Sequence, residues 1–112
     1  MTAVNQNFEM WKGDDFKLVF SIEGVEDVIG TTIKWAASLS EYSSEKSIEK
    51  STDNGESEIE IDGAKVIVKL NSSDTQDMDP RTYYHELELV DEEGRISTLA
   101  VGEMRLKSTL IS

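Results

Sequence analysis

An all-β fold, an antiparallel sandwich of about seven strands, is what this sequence predicts, and three observations carry the prediction. Apolar residues recur at every second position in several separate windows, the signature of strands with one buried face. Six of the seven glycines fall between those windows. The chain has 112 residues and no cysteine, enough for one core that must hold by packing without disulfides. A single domain over residues 1–112 is expected, with its core at about residues 8–107.

A short first strand spans Phe8 to Trp11. The clearest window follows at Asp15 to Glu23, with Phe16, Leu18, Phe20 and Ile22 on one side and Lys17, Ser21 and Glu23 on the other. Thr31 to Ser40 repeats the pattern, with Ile33, Trp35, Ala37 and Leu39 inward. Residues 41–58 are rich in Ser, Glu and Lys, with Tyr42 and Ile48 as apolar anchors. An edge strand, a short helix through Glu45 to Lys50 and a mobile loop all fit there, and the edge strand is the first choice. Ile59 with Ile61, then Val66, Val68 and Leu70, give two further strands.

Ser73-Asp74-Thr75-Gln76 fits a capping box with Ser73 as N-cap, so one short helical turn is expected near residues 73–78, ahead of Pro80. The strand from Thr82 to Asp91 points Tyr83, His85, Leu87 and Leu89 to one face, and Asp91-Glu92-Glu93-Gly94 reads as a hairpin turn. In the last strand, Arg95 to Ile111, Leu99 and Val101 share one parity while Met104 and Leu106 share the other. A β-bulge at Gly102 would bring both pairs to one face.

These elements leave a sandwich or a small barrel, and three positions favour an immunoglobulin-like sandwich. Trp35 is inward on the third strand, where such folds keep a core tryptophan. Tyr83 stands at the start of the penultimate strand, where a tyrosine corner bonds back to the chain. His85, two residues on, takes the place of a disulfide cysteine.

Charge and composition exclude several functions. With 23 Asp and Glu against 11 Lys and Arg, the formal charge is −12, which repels nucleic acid and anionic membranes; neither is an expected partner. The first 25 residues do not read as a signal peptide and no run is long enough to span a membrane, so the cytoplasm is the default expectation. The single histidine, on an inward face, reads as a satisfied core residue and not as a base, and no nucleophile elbow accompanies it. Two acidic clusters, Asp53, Asn54, Glu56 and Glu58, then Asp74, Asp77 and Asp79, lack the spacing of a calcium loop and read as solvated loops. No catalytic residue, metal ligand or cofactor is therefore expected, and the chain is not read as an enzyme. Val19, Ile67, Tyr84 and Val90 have outward parity and are the candidate interface residues, for contacts with other proteins or with further copies of the chain.

The runs Trp11-Lys12-Gly13-Asp14-Asp15-Phe16-Lys17-Leu18-Val19-Phe20 and Val28-Ile29-Gly30-Thr31-Thr32-Ile33-Lys34-Trp35 resemble the opening of small phage structural domains. Leu70-Asn71-Ser72-Ser73-Asp74-Thr75, with Pro80, Tyr83, Glu86-Leu87, Asp91 and Gly94, resembles their second half. The pattern is similar to the immunoglobulin-like N-terminal domain of phage baseplate upper proteins and related prophage tail or minor structural proteins. Arg81 departs from it, standing where these domains often have glycine. The resemblance implies a structural module of a phage or prophage particle, in tail, baseplate or neck, made in the host cytoplasm and then carried in the virion. It would act by protein–protein contact, as a homo-oligomer or with other particle proteins. The length fits a stand-alone tail or neck component. The other reading is a non-viral immunoglobulin-like module that binds a carbohydrate or a protein.

Overall fold

A computed structural model describes residues 4–22, 30–39 and 46–108. Among them the backbone forms β1 (Val4–Asn5), β2 (Phe8–Trp11), β3 (Phe16–Ser21), β4 (Thr32–Ser38), β5 (Ile48–Ser51), β6 (Ile59–Asp62), β7 (Lys65–Leu70), the one-turn helix α1 (Ser72–Thr75), β8 (Thr82–Val90) and β9 (Ile96–Lys107). Two sheets result. The larger runs β1-β9-β8-β4-β5, with β2 also on β9, and the smaller runs β3-β7-β6.

The core lies between the sheets and is made by the alternation the sequence shows. Leu18, Phe20, Val66, Val68 and Ile59 face inward from the small sheet, and Ile33, Trp35, Leu87, Met104 and Leu106 meet them from the large one. Each fully buried aliphatic side chain contributes about 1.5–3 kcal/mol by leaving water. Phe16 and Leu89 pack at its margin.

Several expectations are corrected. β1 and β2 pair with β9 in parallel, so the sandwich is not antiparallel throughout. The bulge lies at Leu99, where Leu87 pairs with Ala100 and Glu88 with Thr98, and not at Gly102. Leu99 and Ala100 are consequently both buried, and Val101 turns to the outer face, half-buried. Gly102 has another use: a Cβ there would lie 2.2 Å from the Gln6 carbonyl oxygen. Only a hydrogen side chain lets the Gln6 carbonyl, in the break between β1 and β2, come this close to β9. Asn7 bridges the break, its Oδ1 accepting the Glu103 N–H at 2.8 Å.

Leu39, expected inward, is 54% exposed, and the aromatic Trp11 is 47% exposed. Trp11 has outward parity on β2 and carries Lys107 Nζ 4.2 Å above its ring; Leu39 lies just past the end of β4. The helical cap sits two residues earlier than predicted: Asn71 is the N-cap, and the Asp74 carboxylate accepts its N–H at 2.7 Å. Ile48–Ser51 is an edge strand on β4 and not a helix. Glu23, Gly24, Ser40, residues 41–45 with Tyr42, and Ile111 lie outside the described residues.

Candidate interaction surfaces

Two of the residues singled out by position, Trp35 and His85, form one buried group with Gln6. Trp35 on β4 and His85 on β8 stand inward on adjacent strands, with Ala37 as the register partner of His85. The Trp35 indole N–H donates to His85 Nδ1 at 3.1 Å, and His85 Nε2 lies 2.6 Å from the Gln6 carbonyl oxygen. An indole nitrogen only donates, so Nδ1 accepts and the proton sits on Nε2, which donates to Gln6. The imidazole has no accessible surface and is packed by Phe8 and Phe20. Burial pulls its pKa below the ordinary 6.5, and the bond to Gln6 opposes that only in part. Both ring nitrogens are committed to the fold, so His85 is not placed to accept a substrate proton.

The Tyr83 hydroxyl donates to the Asp79 carbonyl at 2.8 Å, which is the corner its position predicts. The acidic clusters are mostly exposed, as expected of solvated loops, but one acid of each is drawn into the framework. Glu58 Oε1 accepts the Ser51 N–H and the Asn54 amide, both at 3.0 Å. Asp74 faces Lys50 Nζ at 2.8 Å, and Lys50 is 7% exposed. This pair ties edge strand β5 to α1, and among the described ion pairs it is the one with both members mostly covered. The signal that would have found it is parity, since Lys50 shares its inward side with Ile48. α1 is held from the other end by the β2–β3 turn, through Gly13 N–H to Thr75 Oγ1 and Ser72 N–H to Asp15 Oδ1, both at 2.9 Å. Among the described residues no three acidic or histidine side chains converge as metal ligands would.

What faces outward is two sheet surfaces. The four candidate interface residues divide between them. Val19 and Ile67 are register partners on the small sheet, and Val19 is 46% exposed. Tyr84 and Val90 share the outer side of β8 on the large sheet, on the opposite side of the sandwich, with Val90 paired to the exposed Ile96. The structure therefore brings Val19 and Ile67 together, sets Tyr84 and Val90 near opposite ends of β8, and does not make one patch of four.

The large sheet also carries an open hollow of about 280 Å³ between β5, β4 and β8, whose lining includes Lys34, Lys46, Glu49, Glu86 and Glu88. Glu86 sits in it with its pKa raised, first by partial burial and then by the neighbouring Glu88. Sequence reasoning passed over this hollow, because it arises where three strands from distant parts of the chain meet.

No family model matches this chain, and neither does any curated protein. Among solved structures, a fibronectin(III)-like module of CbhA from Clostridium thermocellum is similar over 96% of this chain and 94% of its own, with a TM-score of 0.52 and 8% identity. At that identity the likeness concerns the fold. The fold is an immunoglobulin-like β-sandwich.

Proposed function

We propose that this module is a structural or assembly component of a bacteriophage or prophage particle, in tail, baseplate or neck, and that it works by protein–protein contact. The observation that carries the contact reading is how the side chains are used. The lone histidine is locked in the core by Trp35 and Gln6, while Val19, Ile67 and Val90 are spent on outer faces. Two sheet faces that carry such apolar side chains are suited to burial against neighbours. The phage assignment rests on the resemblance of the Gly13-Asp14-Asp15 and Asn71-to-Thr75 runs. Their contact through Gly13–Thr75 and Asp15–Ser72 gives those runs a shared structural purpose.

The test is quantitative mass spectrometry of particles released from the induced host. The expected result is this chain at a fixed stoichiometry to known tail proteins. Its absence from particles whose other tail proteins are detected would overturn the virion role and leave the second reading, a non-viral binding module. The likeness to a fibronectin(III)-like module suits that reading equally, and the hollow over Glu86 and Glu88 would be its first place to look for a ligand.

A further inference from the structure

The two outer faces differ in charge. On the small sheet, register places Lys17 opposite Lys69, Val19 opposite Ile67, and Ser21 opposite Lys65, so three lysines surround an apolar centre. The acids of this face, Glu60 and Asp62, lie on edge strand β6, and Glu60 is paired with Lys69 at 2.9 Å. Lys17 and Lys65 form no ion pair among the described residues. In a chain with 11 basic residues against 23 acidic ones, this is a basic surface.

The large sheet is acidic by a narrower margin, its outer face setting Lys34, the register partner of Glu88, and Arg105 against three glutamates outside the ion pairs. Glu86 and Glu88 stand two apart on the outer side of β8, and Glu103 is the register partner of Tyr84. None of the three forms an ion pair among the described residues. Glu86 and Glu88 border the hollow, whose lining also includes Lys34 and Lys46. Two crowded carboxylates, one of them already resisting ionisation, are relieved by a cation brought between them.

We propose that copies of this chain stack front to back, the face of Lys17, Val19 and Lys65 on one copy docking on the face of Tyr84, Glu86 and Glu88 on the next. Charge complementarity selects this arrangement over a symmetric one. Two small-sheet faces would set lysine against lysine and two large-sheet faces glutamate against glutamate, each a costly juxtaposition. A contact between two different surfaces leaves both ends of every stack open, so growth runs past the dimer into a ring or a column. The overall charge of −12 does not prevent it. At physiological salt the screening length is about 8 Å, shorter than the narrowest dimension of the sandwich, 21 Å, so the facing charges dominate.

This deepens the assembly reading and rests on it, and sedimentation velocity on the purified chain at physiological salt tests it separately. The wild type is expected to gain mass with concentration beyond a dimer. Lys17→Glu with Lys65→Glu makes the chain more acidic, and Glu86→Lys with Glu88→Lys makes it less so. Each should weaken association by at least about a hundredfold, the effect of like charges brought together. Combining all four substitutions restores complementarity at the unchanged formal charge of −12 and should restore stacking. Circular dichroism checks the fold, and if a reversal unfolds the chain, the neutral versions with glutamine should weaken association in the same two places. A wild type that stays monomeric at every concentration overturns the proposal. So does a quadruple variant that stays monomeric, or single-face reversals that associate like the wild type. In each case the presence of the chain in particles, read by mass spectrometry, is unaffected.

Discussion

Charging His85 would require Nδ1 to become a donor, and the group facing it, the Trp35 indole N–H, is a donor too. The folded protein therefore binds that proton more weakly than the unfolded chain, whose histidine titrates near the ordinary 6.5. The sign follows: the contribution is fully present above 6.5 and is lost as pH falls below it, with a slope of up to about 1.4 kcal/mol per pH unit. Urea midpoints between pH 8 and pH 5.5 should fall for the wild type. They should stay flatter for His85→Gln, which starts lower because it disturbs both hydrogen bonds. If wild type and variant share one slope, the histidine is not the titrating group. At Tyr83 the stake is a single bond to the Asp79 carbonyl, and Tyr83→Phe should cost about 1 kcal/mol in the same assay. The positions of Trp35, Tyr83 and His85 were readable from the sequence, because each follows from alternation and distance from a turn. Their chemistry was not, since the acceptor that fixes the tautomer belongs to Gln6, 79 residues from His85.

Strand existence was readable wherever one face is buried, as in β3, β4, β7 and β8. Pairing direction was not, because a two-residue strand such as β1 has too little pattern to show whether it joins β9 in parallel. Gly102 shows how one residue admits two explanations. A change of parity beside a glycine suggests a bulge, whereas the register slips at Leu99 and the glycine admits the Gln6 carbonyl. Gly102→Ala should push the Gln6 carbonyl away, at about 1–3 kcal/mol for an overpacked site. Hydrogen exchange should quicken first at Gln6 N–H, which donates to Val101 O at 2.8 Å, while β3 and β7 keep their protection. Equal loss across both sheets would mean the break between β1 and β2 is not a separate unit. At the other end of the fold, Lys50 and Asp74 hold β5 to α1. Removing the acid strands a buried ammonium and also a cap. Asp74→Asn should therefore cost about 3 kcal/mol, and Lys50→Met, which keeps the stem and leaves the more exposed partner, clearly less. Denaturant midpoints decide the order, and a reversed order would make the cap and the pair unimportant.

At the scale of the molecule, charge was the most readable property and its arrangement the least. Composition gives −12 but cannot show that Lys17, Lys65 and Lys69 share the small sheet while Glu86, Glu88 and Glu103 share the large one. That needs the register of strands far apart in the chain. The net charge still has a consequence for stability. Most of the ion pairs, such as Lys46–Glu49 and Arg95–Glu93, sit on exposed side chains and contribute little. The dominant electrostatic effect in the folded state is self-repulsion among the surplus carboxylates, which compaction worsens. Added salt screens that repulsion more than it weakens the Lys50–Asp74 pair, which is mostly shielded from solvent. The melting temperature at pH 7.5 should therefore rise as sodium chloride goes from about 0.01 M to about 0.15 M, where the screening length drops from about 30 Å to about 8 Å, and change little beyond. The measurement belongs at a concentration where sedimentation finds only monomer, so that association does not add its own stabilisation. A melting temperature that falls with salt would mean that the surface pairs outweigh the repulsion, and that the two faces are better neutralised within one copy than stacking between copies requires.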